Sequence, residues 1–392
     1  MDRRNFVGML GLHSCFELLS LFVRVFLIAQ VFFVTNYNIS AVGLFLLVEV
    51  IAIFVFYTIS SCICKKVRAI WMTRIATVLA CGFLVLTIVW SQGLENYYML
   101  FGAMWGAVLG LYWGAQNFLI TKVFGKERIM SYFSMAFILI AIVGIVFPFT
   151  FGLAIEWGSW MITSGFVLAV GVIQLVFSFI IKTGEAEQGQ IRMRAYFHAL
   201  REKNHLKPAV ILFISGFFAG FPFILIALVT VVVVMAYGSN IGLGALGSIF
   251  GAVGIVALLA YRFSPSRIKI SLFSVAGILP LLVSVPLFFY VGPWSVIVFN
   301  LATVAQRIVA VEENSTRINA TRYWGGEEFI IESHLFYEFA FMVGRVIACL
   351  LLLAVGWFGS TQILLATAIA LVMLTLAVHA AILLWWRRKY AN

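Results

Sequence analysis

The sequence has few charged residues and a single aspartate, Asp2. Charged side chains make up only 10% of the 392 residues, whereas a soluble domain has about 25%. Hydrophobic residues make up 64% of the chain, and the mean hydropathy is +1.09. This composition excludes an ordinary soluble protein and indicates a chain that crosses a membrane many times. Any carboxylate chemistry inside the membrane must therefore use glutamate.

The sequence also lacks the short motifs of several enzyme classes. It contains no phosphate-binding loop of the Walker type, no HExxH zinc motif and no GxSxG nucleophile elbow. ATP-driven transport by this chain alone is therefore not expected, and neither is zinc- or serine-dependent hydrolysis. We predict that the protein is not an enzyme and that it needs no cofactor and no metal ion.

Cysteine is scarce and lies only in or at the end of apolar stretches. The five cysteines are Cys15, Cys62, Cys64, Cys81 and Cys349. We expect them to act as small apolar residues and not to form disulfide bonds. Cys62 and Cys64 are closely spaced, but a soft-metal site needs further ligands beside them.

Long apolar runs are what the sequence has in abundance. A run of about 20 residues is long enough to span a bilayer as a helix. Twelve such runs, called segments 1 to 12, occur at 6–34, 39–62, 70–90, 97–120, 130–153, 160–182, 208–236, 241–261, 270–291, 294–313, 329–356 and 361–386. We predict an all-α polytopic membrane protein with twelve transmembrane helices.

The 26 lysine and arginine residues indicate how these helices are oriented. Three of them, Arg24, Arg307 and Arg345, lie deep in segments, and the others lie at the chain ends or in and beside even-numbered loops. Odd-numbered loops such as 35–38 and 154–159 contain neither residue. By the positive-inside rule, both termini and all even loops are predicted to be cytoplasmic. The net charge of +11 then reflects topology and contact with anionic membrane lipids, and we expect no nucleic-acid partner.

The longest polar stretch, residues 183–207, separates six segments from the other six. Apolar residues such as Tyr196 and Leu200 alternate there with Arg194 and Arg201. This pattern is typical of a short amphipathic helix on a membrane surface. We predict an N-terminal six-helix bundle at 1–182, a cytoplasmic amphipathic linker at 183–207, and a C-terminal six-helix bundle at 208–392.

This architecture resembles the major facilitator superfamily (MFS) of secondary transporters. That family carries a loop of the form G-x-L-a-D-R-x-G-R between helices 2 and 3. The corresponding residues here, 60–68, keep Lys65 and Arg68 at basic positions but have Cys64 in place of the aspartate. The acidic half of the family's gating contact is therefore missing from this loop.

A second motif lies in segment 5, where the sequence reads Gly144-x3-Pro148-x3-Gly152. It is similar to a glycine-rich motif that the MFS family associates with antiporters, although Phe147 replaces the usual glycine before the proline. Small residues permit close helix packing, and proline lets a helix bend. The motif favours export slightly, and an ordinary proline kink explains it equally well.

The resemblance implies two bundles that rock about a central cavity, so that access alternates between the two sides of the membrane. It implies that segments 1, 4, 7 and 10 line the cavity. It also implies that segments 2, 5, 8 and 11 form contacts between the halves.

Two charged stripes occur inside these apolar segments. In segment 11, His334, Glu338 and Arg345 are spaced at 0, 4 and 11 residues, which places them within roughly 40° of one line on a helix. Segment 1 repeats the spacing with His13, Glu17 and Arg24. A charge at this depth costs about 2.5–3.5 kcal/mol, so each stripe must face protein, water or a counter-charge. Proton coupling by Glu17 and Glu338 and static ion pairing both fit the pattern.

Segment 2 carries a further glutamate, Glu49, at mid-depth. The resemblance places segment 2 beside segment 11 across the two halves. We therefore predict that Glu49 pairs with Arg345 and contributes to coupling or gating.

Segments 4 and 10 supply the predicted solute-binding residues. Arg307 lies near mid-depth of segment 10 with no acid on its own helix face, so it needs a partner on another helix or an anionic group of the solute. The remaining candidates are Asn300 and Asn314 in segment 10 and Trp105, Tyr112, Trp113, Gln116 and Asn117 in segment 4, where aromatic core packing is the alternative. Glu312 and Glu313 are expected to be solvated at the end of segment 10.

The sequence thus predicts a secondary transporter for a small organic or amphiphilic solute, coupled to protons or another ion. We expect a monomer in the cytoplasmic membrane of a bacterium. A passive facilitator, a lipid flippase and a non-transporting receptor or scaffold are the alternatives that the sequence leaves open.

Overall fold

Helices account for all the regular secondary structure in the described part of the chain. The computed structural model describes residues 3–90, 93–123, 126–182, 190–289, 304–314, 316–317, 327–359 and 362–390. Apolar runs take this form because a helix satisfies its own backbone hydrogen bonds, which lipid cannot do.

The helices are numbered along the chain. They are α1 Arg3–Leu21, α2 Ile28–Val34, α3 Ile39–Cys64, α4 Ala69–Val89, α5 Leu94–Val123, α6 Lys126–Leu153, α7 Trp160–Ile180, α8 Met193–Glu202, α9 Leu206–Gly220, α10 Leu225–Tyr237, α11 Asn240–Phe263, α12 Ser266–Ser284, α13 304–314, α14 Ile330–Trp357 and α15 Gln362–Tyr390.

Eleven helices among the described residues are long and apolar enough to cross a membrane. They coincide with eleven of the twelve predicted segments, so a multi-pass integral membrane protein is confirmed. The first half of segment 10, predicted at 294–313, lies outside the described residues, and α13 coincides with its second half.

Two of the spans are interrupted by a local change of helix type. A π-helical turn, Phe22–Leu27, joins α1 to α2 in one continuous span. A 3₁₀ turn, Phe221–Ile224, joins α9 to α10, with Pro222 within it. Proline has no backbone N–H to donate to the preceding turn, so Pro222 weakens the α-helical hydrogen bonding at the second interruption. The π turn carries Arg24, and such turns are frequent at functional sites.

The start of α1 and the end of α15 lie on the same side of the helices. Near the start of α1, the side chain of Asn5 forms hydrogen bonds with the backbone of Lys182, just beyond the end of α7. Near the end of α15, Trp386 packs in one cluster with Tyr196 of α8. We call this side the terminal side. The helix α8 buries Tyr196 and Leu200 there and exposes basic side chains.

The N-terminal and C-terminal helices meet at two long seams. In the first seam α6 packs against α11, and in the second α3 packs against α14. Glycine makes the first seam tight, since a Cβ on Gly251 of α11 would lie 2.4 Å from the carbonyl oxygen of Gly144 of α6. The predicted division at residues 182 and 208 stays a prediction.

Candidate functional site

Four charged side chains converge where α3 and α14 bring the two halves together. Arg345 of α14 donates a hydrogen bond of 2.9 Å from Nη1 to Oε1 of Glu338, and both side chains are largely buried. The Arg345 guanidinium also lies 4.0 Å from the ring centre of Phe341. Glu49 of α3 is fully buried, and its carboxylate is attracted by Arg24 and Arg345. We call Arg24, Glu49, Glu338 and Arg345 the central charge cluster.

Glu49 and Arg345, the predicted pair, act on each other electrostatically as members of a larger group, and their pairing stays a prediction. The hydrogen bond of Arg345 goes to Glu338 on its own helix. Glu49 Oε1 and Arg24 Nε are buried and make no hydrogen bond within the described part of the chain. A buried polar atom without a partner is uncommon and marks a place where water, a proton or a ligand can act.

The predicted stripe of segment 1 is divided by the π turn. Glu17 lies in the α-helical part, where its charge acts on His13 and on Tyr112 of α5. Arg24 lies within the π turn and acts on Glu49 and Arg345 instead. A π turn has more residues per turn than an α-helix, so the regular angular spacing assumed from the sequence does not apply at Arg24.

The stripe of segment 11 is divided in a different way. Glu338 and Arg345 are in direct contact, as the spacing predicts. His334 turns instead to Thr121 of α5, with 3.2 Å between its Nε2 and the threonine hydroxyl. It therefore joins the two halves close to the terminal side of α14.

The polar and aromatic residues of α5 form a buried layer against α1. Tyr112 stacks on Phe16 with 3.5 Å between ring centres, and its hydroxyl lies 3.3 Å from His13 Nδ1. Trp105 stacks on Phe16 as well, and its indole nitrogen is buried without a hydrogen-bond partner within the described part of the chain. Trp113 is only half-buried and lies edge-on to His13.

The two amides of this layer are held by tyrosine hydroxyls. Gln116 contacts Tyr132 of α6 at 3.4 Å, and Asn117 donates to Tyr57 of α3 at 3.2 Å. The structure therefore brings together all five segment 4 candidates as the α5 layer, in contact with α1, α3 and α6. In this arrangement only Trp113 has appreciable exposure.

Arg307 lies at the α6–α11 seam. Its Nη1 is 2.8 Å from the position that a Cβ on Gly254 of α11 would occupy, and its Nη2 is 3.9 Å from that of Gly144 of α6. No ion pair with Arg307 occurs among the described residues, and no charged group acts on it electrostatically there. The glycines create the space for a guanidinium between the two halves, and its charge is left without a described counter-charge.

The other two candidates of segment 10 are less informative. Asn300 lies outside the described residues. The side chain of Asn314 donates to the carbonyl oxygen of Ala310 and accepts a hydrogen bond from Arg317. It thus forms part of the end of α13.

The expectation that Glu313 is solvated is wrong. Its side chain is 14% exposed, and its Oε2 lies 3.4 Å from Nε2 of His379 on α15. The hydroxyl of Tyr337 donates to its Oε1 at 2.7 Å. Glu312 accepts a hydrogen bond from Tyr261 of α11. His379 is not among the residues predicted from the sequence, although a histidine within an apolar segment is a visible signal.

A second ionic contact between the N-terminal and C-terminal helices lies on the terminal side, and its acidic member is not among the residues predicted from the sequence. Glu332, at the start of α14, is completely buried, and its Oε2 is 3.3 Å from Lys65 Nζ at the end of α3. Its Oε1 accepts a hydrogen bond of 3.0 Å from the backbone N–H of Arg192, just before α8. We call Lys65, Glu332 and Arg192 the terminal latch. The loop at 60–68 has Cys64 where a carboxylate was expected. Here the carboxylate that contacts Lys65 comes from Glu332, at the start of α14.

Comparison with known proteins locates the resemblance in the fold and not in the sequence. No protein-family model matches the chain, and no curated protein matches it. The POT family transporter PepTSo superimposes with a TM-score of 0.69 at 9% identity, covering 100% of this chain and 99% of that one. A POT family transporter in complex with 5-aminolevulinic acid gives 0.69 at 11%, covering 99% and 97%.

An MFS transporter, FucP, in the outward conformation superimposes with a TM-score of 0.65 at 12% identity, covering 96% of this chain and 97% of that one. Identities this low show the fold alone. The chain therefore has the fold of MFS transporters, and the resemblance drawn from the sequence is confirmed at that level.

Proposed function

We propose that the protein is a secondary transporter that moves a small organic solute across the membrane by alternating access. The observation that carries the proposal is the central charge cluster. Four charges between membrane-spanning helices, two of them buried and two partly buried, are costly. They lie where two halves must separate and rejoin in a rocking mechanism.

We place the solute between the α5 layer and Arg307. The guanidinium of Arg307 has no counter-charge among the described residues, so an anionic group, such as the carboxylate of an organic acid, supplies the missing charge. One structural neighbour was solved with 5-aminolevulinic acid, which contains such a group. The half-buried Trp113 offers an aromatic surface for the apolar part of an amphiphilic solute. Asn300 and Asn314 keep their proposed place beside Arg307 in segment 10.

Proton coupling is assigned to the two glutamates that the stripes contain. Glu338 forms an ion pair with Arg345. The negative charge of Glu17 acts on His13. A carboxylate that alternates between a cation and a proton can couple its protonation to the separation of the halves. The terminal latch then closes the side that carries the chain ends, which we propose is cytoplasmic in a bacterial inner membrane. The segment 5 motif with Gly144 and Pro148, on the α6 side of the α6–α11 seam, favours export slightly.

The test is solute flux in proteoliposomes that contain the purified protein, measured with and without a pH gradient. Solutes are first selected by thermal stabilisation of the wild type, with Arg307→Ala as the binding-deficient variant. The matched control is Arg74→Ala, because Arg74 is a half-buried arginine that stacks on Trp71 and Phe179, away from the seam.

An anionic solute should stabilise the wild type and Arg74→Ala but not Arg307→Ala. Its flux should increase with the pH gradient. Flux that does not respond to the gradient would indicate a passive facilitator. Transfer of labelled lipid between leaflets would indicate a flippase, and the absence of any flux would favour a receptor or scaffold.

A further inference from the structure

A cleft with apolar walls lies on the outer surface of the protein, between α9 and α14. Its volume is about 290 Å³. Two of its wall residues, Ile214 and Phe339, are 43% and 46% exposed, so the cleft is open to the surroundings of the helices. The walls consist of Phe213, Ile214 and Phe217 of α9 and Phe339, Ala340 and Val343 of α14. Because both helices span the membrane, the opening faces lipid.

Aromatic rings connect this cleft to α8 on the terminal side. Phe213 stacks on Phe336 with 4.7 Å between ring centres, and Phe336 meets Phe197 of α8 edge-on at 5.3 Å. Phe213 lies seven residues beyond Leu206, the first residue of α9, which corresponds to about 10 Å along the helix. The rings therefore lead from α8, at the ends of the spans, to the depth at which lipid acyl chains lie.

Two arginines of α8 flank the outer end of this row of rings. Arg194 and Arg201 lie three residues before and four residues after Phe197, so all three side chains fall within about 60° of one another on the helix. Tyr196 and Leu200 are buried against the protein. Both arginines are exposed, and neither forms an ion pair within the described part of the chain.

The other charges of this region are already engaged. Arg192, just before α8, pairs with Glu328. The acid of α8, Glu202, pairs with His198 one turn earlier. The positive charge beside Phe197 is thus left for a group that does not belong to the described residues.

We propose that an anionic phospholipid binds at this place, with one acyl chain in the cleft and its headgroup over Phe197, between Arg194 and Arg201. An arginine guanidinium matches a phosphate group in charge and in hydrogen-bonding geometry. A basic surface helix attracts anionic lipid in general, and the cleft adds a fixed position for the chain. A second copy of this chain has a net charge of +11 and brings no surplus of negative charge to the arginines.

The site lies at the edge of the α3–α14 seam. Phe339, which forms part of the cleft wall, also contacts Phe54 of α3, with 5.8 Å between ring centres. A lipid in the cleft therefore contacts the linker helix α8 and the C-terminal helices α9 and α14, next to the N-terminal helix α3. This proposal goes beyond the proposed function, since the lipid binds whatever solute the protein transports.

The test measures lipid binding directly and needs no flux. Delipidated protein in detergent is titrated with dioleoylphosphatidylglycerol or dioleoylphosphatidylcholine, and the bound lipids are counted by native mass spectrometry. The two lipids have the same acyl chains and differ in headgroup charge. Each basic side chain near an anionic headgroup contributes a factor of about five, so the anionic lipid should bind the wild type about 25-fold more tightly. Equal affinities would overturn the assignment of the headgroup.

A double variant tests the headgroup contact. Arg194→Gln/Arg201→Gln should lower the affinity for the anionic lipid to that for the zwitterionic one. The matched control is Arg262→Gln/Arg267→Gln, which removes the same charge from exposed positions at the end of α11 and the start of α12. This control should keep the preference for the anionic lipid. Equal losses in the two double variants would indicate attraction to the basic surface as a whole and would overturn the site.

A further variant tests the cleft. Ile214→Trp fills the cleft from its exposed edge and should weaken binding of both lipids at least tenfold. Ile278→Trp on α12, also at an exposed apolar position, is the control and should bind both lipids as the wild type does. Unchanged binding in Ile214→Trp would show that the chain lies elsewhere. A dimer mass without bound lipid would identify a second copy as the occupant, and it too would overturn the proposal.

Unfolding temperatures measured in the absence of lipid show whether the variants are folded. All the substituted side chains are exposed, so these temperatures should match that of the wild type. Added anionic lipid should then raise the unfolding temperature of the wild type and of both controls, but not that of Arg194→Gln/Arg201→Gln or Ile214→Trp. The same rise in all five proteins would contradict the proposal independently of the mass measurement.

Discussion

At the scale of single residues, the decisive property is burial of charge without full hydrogen bonding. Glu49 is the clearest case, because its carboxylate is 1% exposed and one of its oxygens makes no hydrogen bond within the described part of the chain. Two arginines from different parts of the chain, Arg24 and Arg345, attract it instead. A carboxylate held by charge and not by a fixed hydrogen bond can exchange partners when the helices move.

Removing one member of the central charge cluster should therefore be worse than removing a bonded pair. Arg345→Gln leaves Glu338 buried without its hydrogen-bonded cation, and breaking a buried ion pair from one side costs about 3–5 kcal/mol. We expect a lower unfolding temperature and little transport. The double variant Glu338→Gln/Arg345→Gln should regain part of the stability, because neither charge is then left alone.

Differential scanning fluorimetry of the four proteins of this cycle provides the measurement. Glu95→Gln is the control, since Glu95 is exposed at the start of α5 and its loss should change nothing. Equal unfolding temperatures for Arg345→Gln and the wild type would show that the ion pair contributes nothing to stability.

At the scale of elements, the α6–α11 seam depends on the absence of side chains. A Cβ on Gly244 would lie 2.2 Å from the Pro148 carbonyl oxygen, and one on Gly251 would lie 2.4 Å from that of Gly144. Such distances are far below van der Waals contact, so the helices pack backbone to backbone. The segment 5 motif therefore lies on the α6 side of this seam, and the glycines of α11 lie opposite it.

Gly251→Ala should force α6 and α11 apart and reduce transport at least tenfold. Gly82→Ala on α4 is the matched control, since a Cβ there meets no atom within 4 Å. In a helix this control should raise stability by roughly 0.5–1 kcal/mol, because alanine loses less backbone entropy than glycine. We therefore expect the unfolding temperature to fall in Gly251→Ala and to rise in Gly82→Ala. A Gly251→Ala protein as stable and active as the control would contradict the tight packing of α6 against α11.

The terminal latch connects the two halves and the linker through one carboxylate. Glu332→Gln removes the negative charge that Lys65 contacts, so the end of α3 should move away from α14 more often. Cys64 is 1% exposed next to Lys65, whereas Cys62 is exposed. In variants that keep only one of these cysteines, Glu332→Gln should accelerate maleimide labelling of Cys64 several-fold and leave Cys62 unchanged. Unchanged labelling of Cys64 would show that the latch does not hold this side closed.

At the scale of the whole molecule, the start of α1 and the end of α15 lie on one side of the helices. The distribution of lysine and arginine predicts that this side faces the cytoplasm. Green fluorescent protein fused to either end should therefore fluoresce in cells, and alkaline phosphatase fused there should be inactive. A cysteine introduced at Tyr37, which is 56% exposed on the opposite side, should react with an impermeant reagent from outside. The reverse pattern would invert the predicted orientation.

Some parts of the site follow from the sequence because they depend on spacing along a single regular helix. Glu338 and Arg345 are seven residues apart, two turns of α14, and they are in contact. The same reasoning fails at Arg24, where a π turn that the apolar pattern does not signal changes the direction of the side chain. It also fails for His334 and Glu313, whose partners Thr121 and His379 lie on other helices.

The sequence by itself determined that the chain spans a membrane many times as helices, because hydropathy and helix length depend only on local composition. It also indicated the MFS-type arrangement and the charged residues that need an explanation. Only the tertiary structure decided which charges meet, since contacts such as Lys65 with Glu332 and Glu313 with His379 join distant segments. Their distances depend on how whole helices rotate and pack, and neither rotation nor packing is encoded in the spacing of one segment.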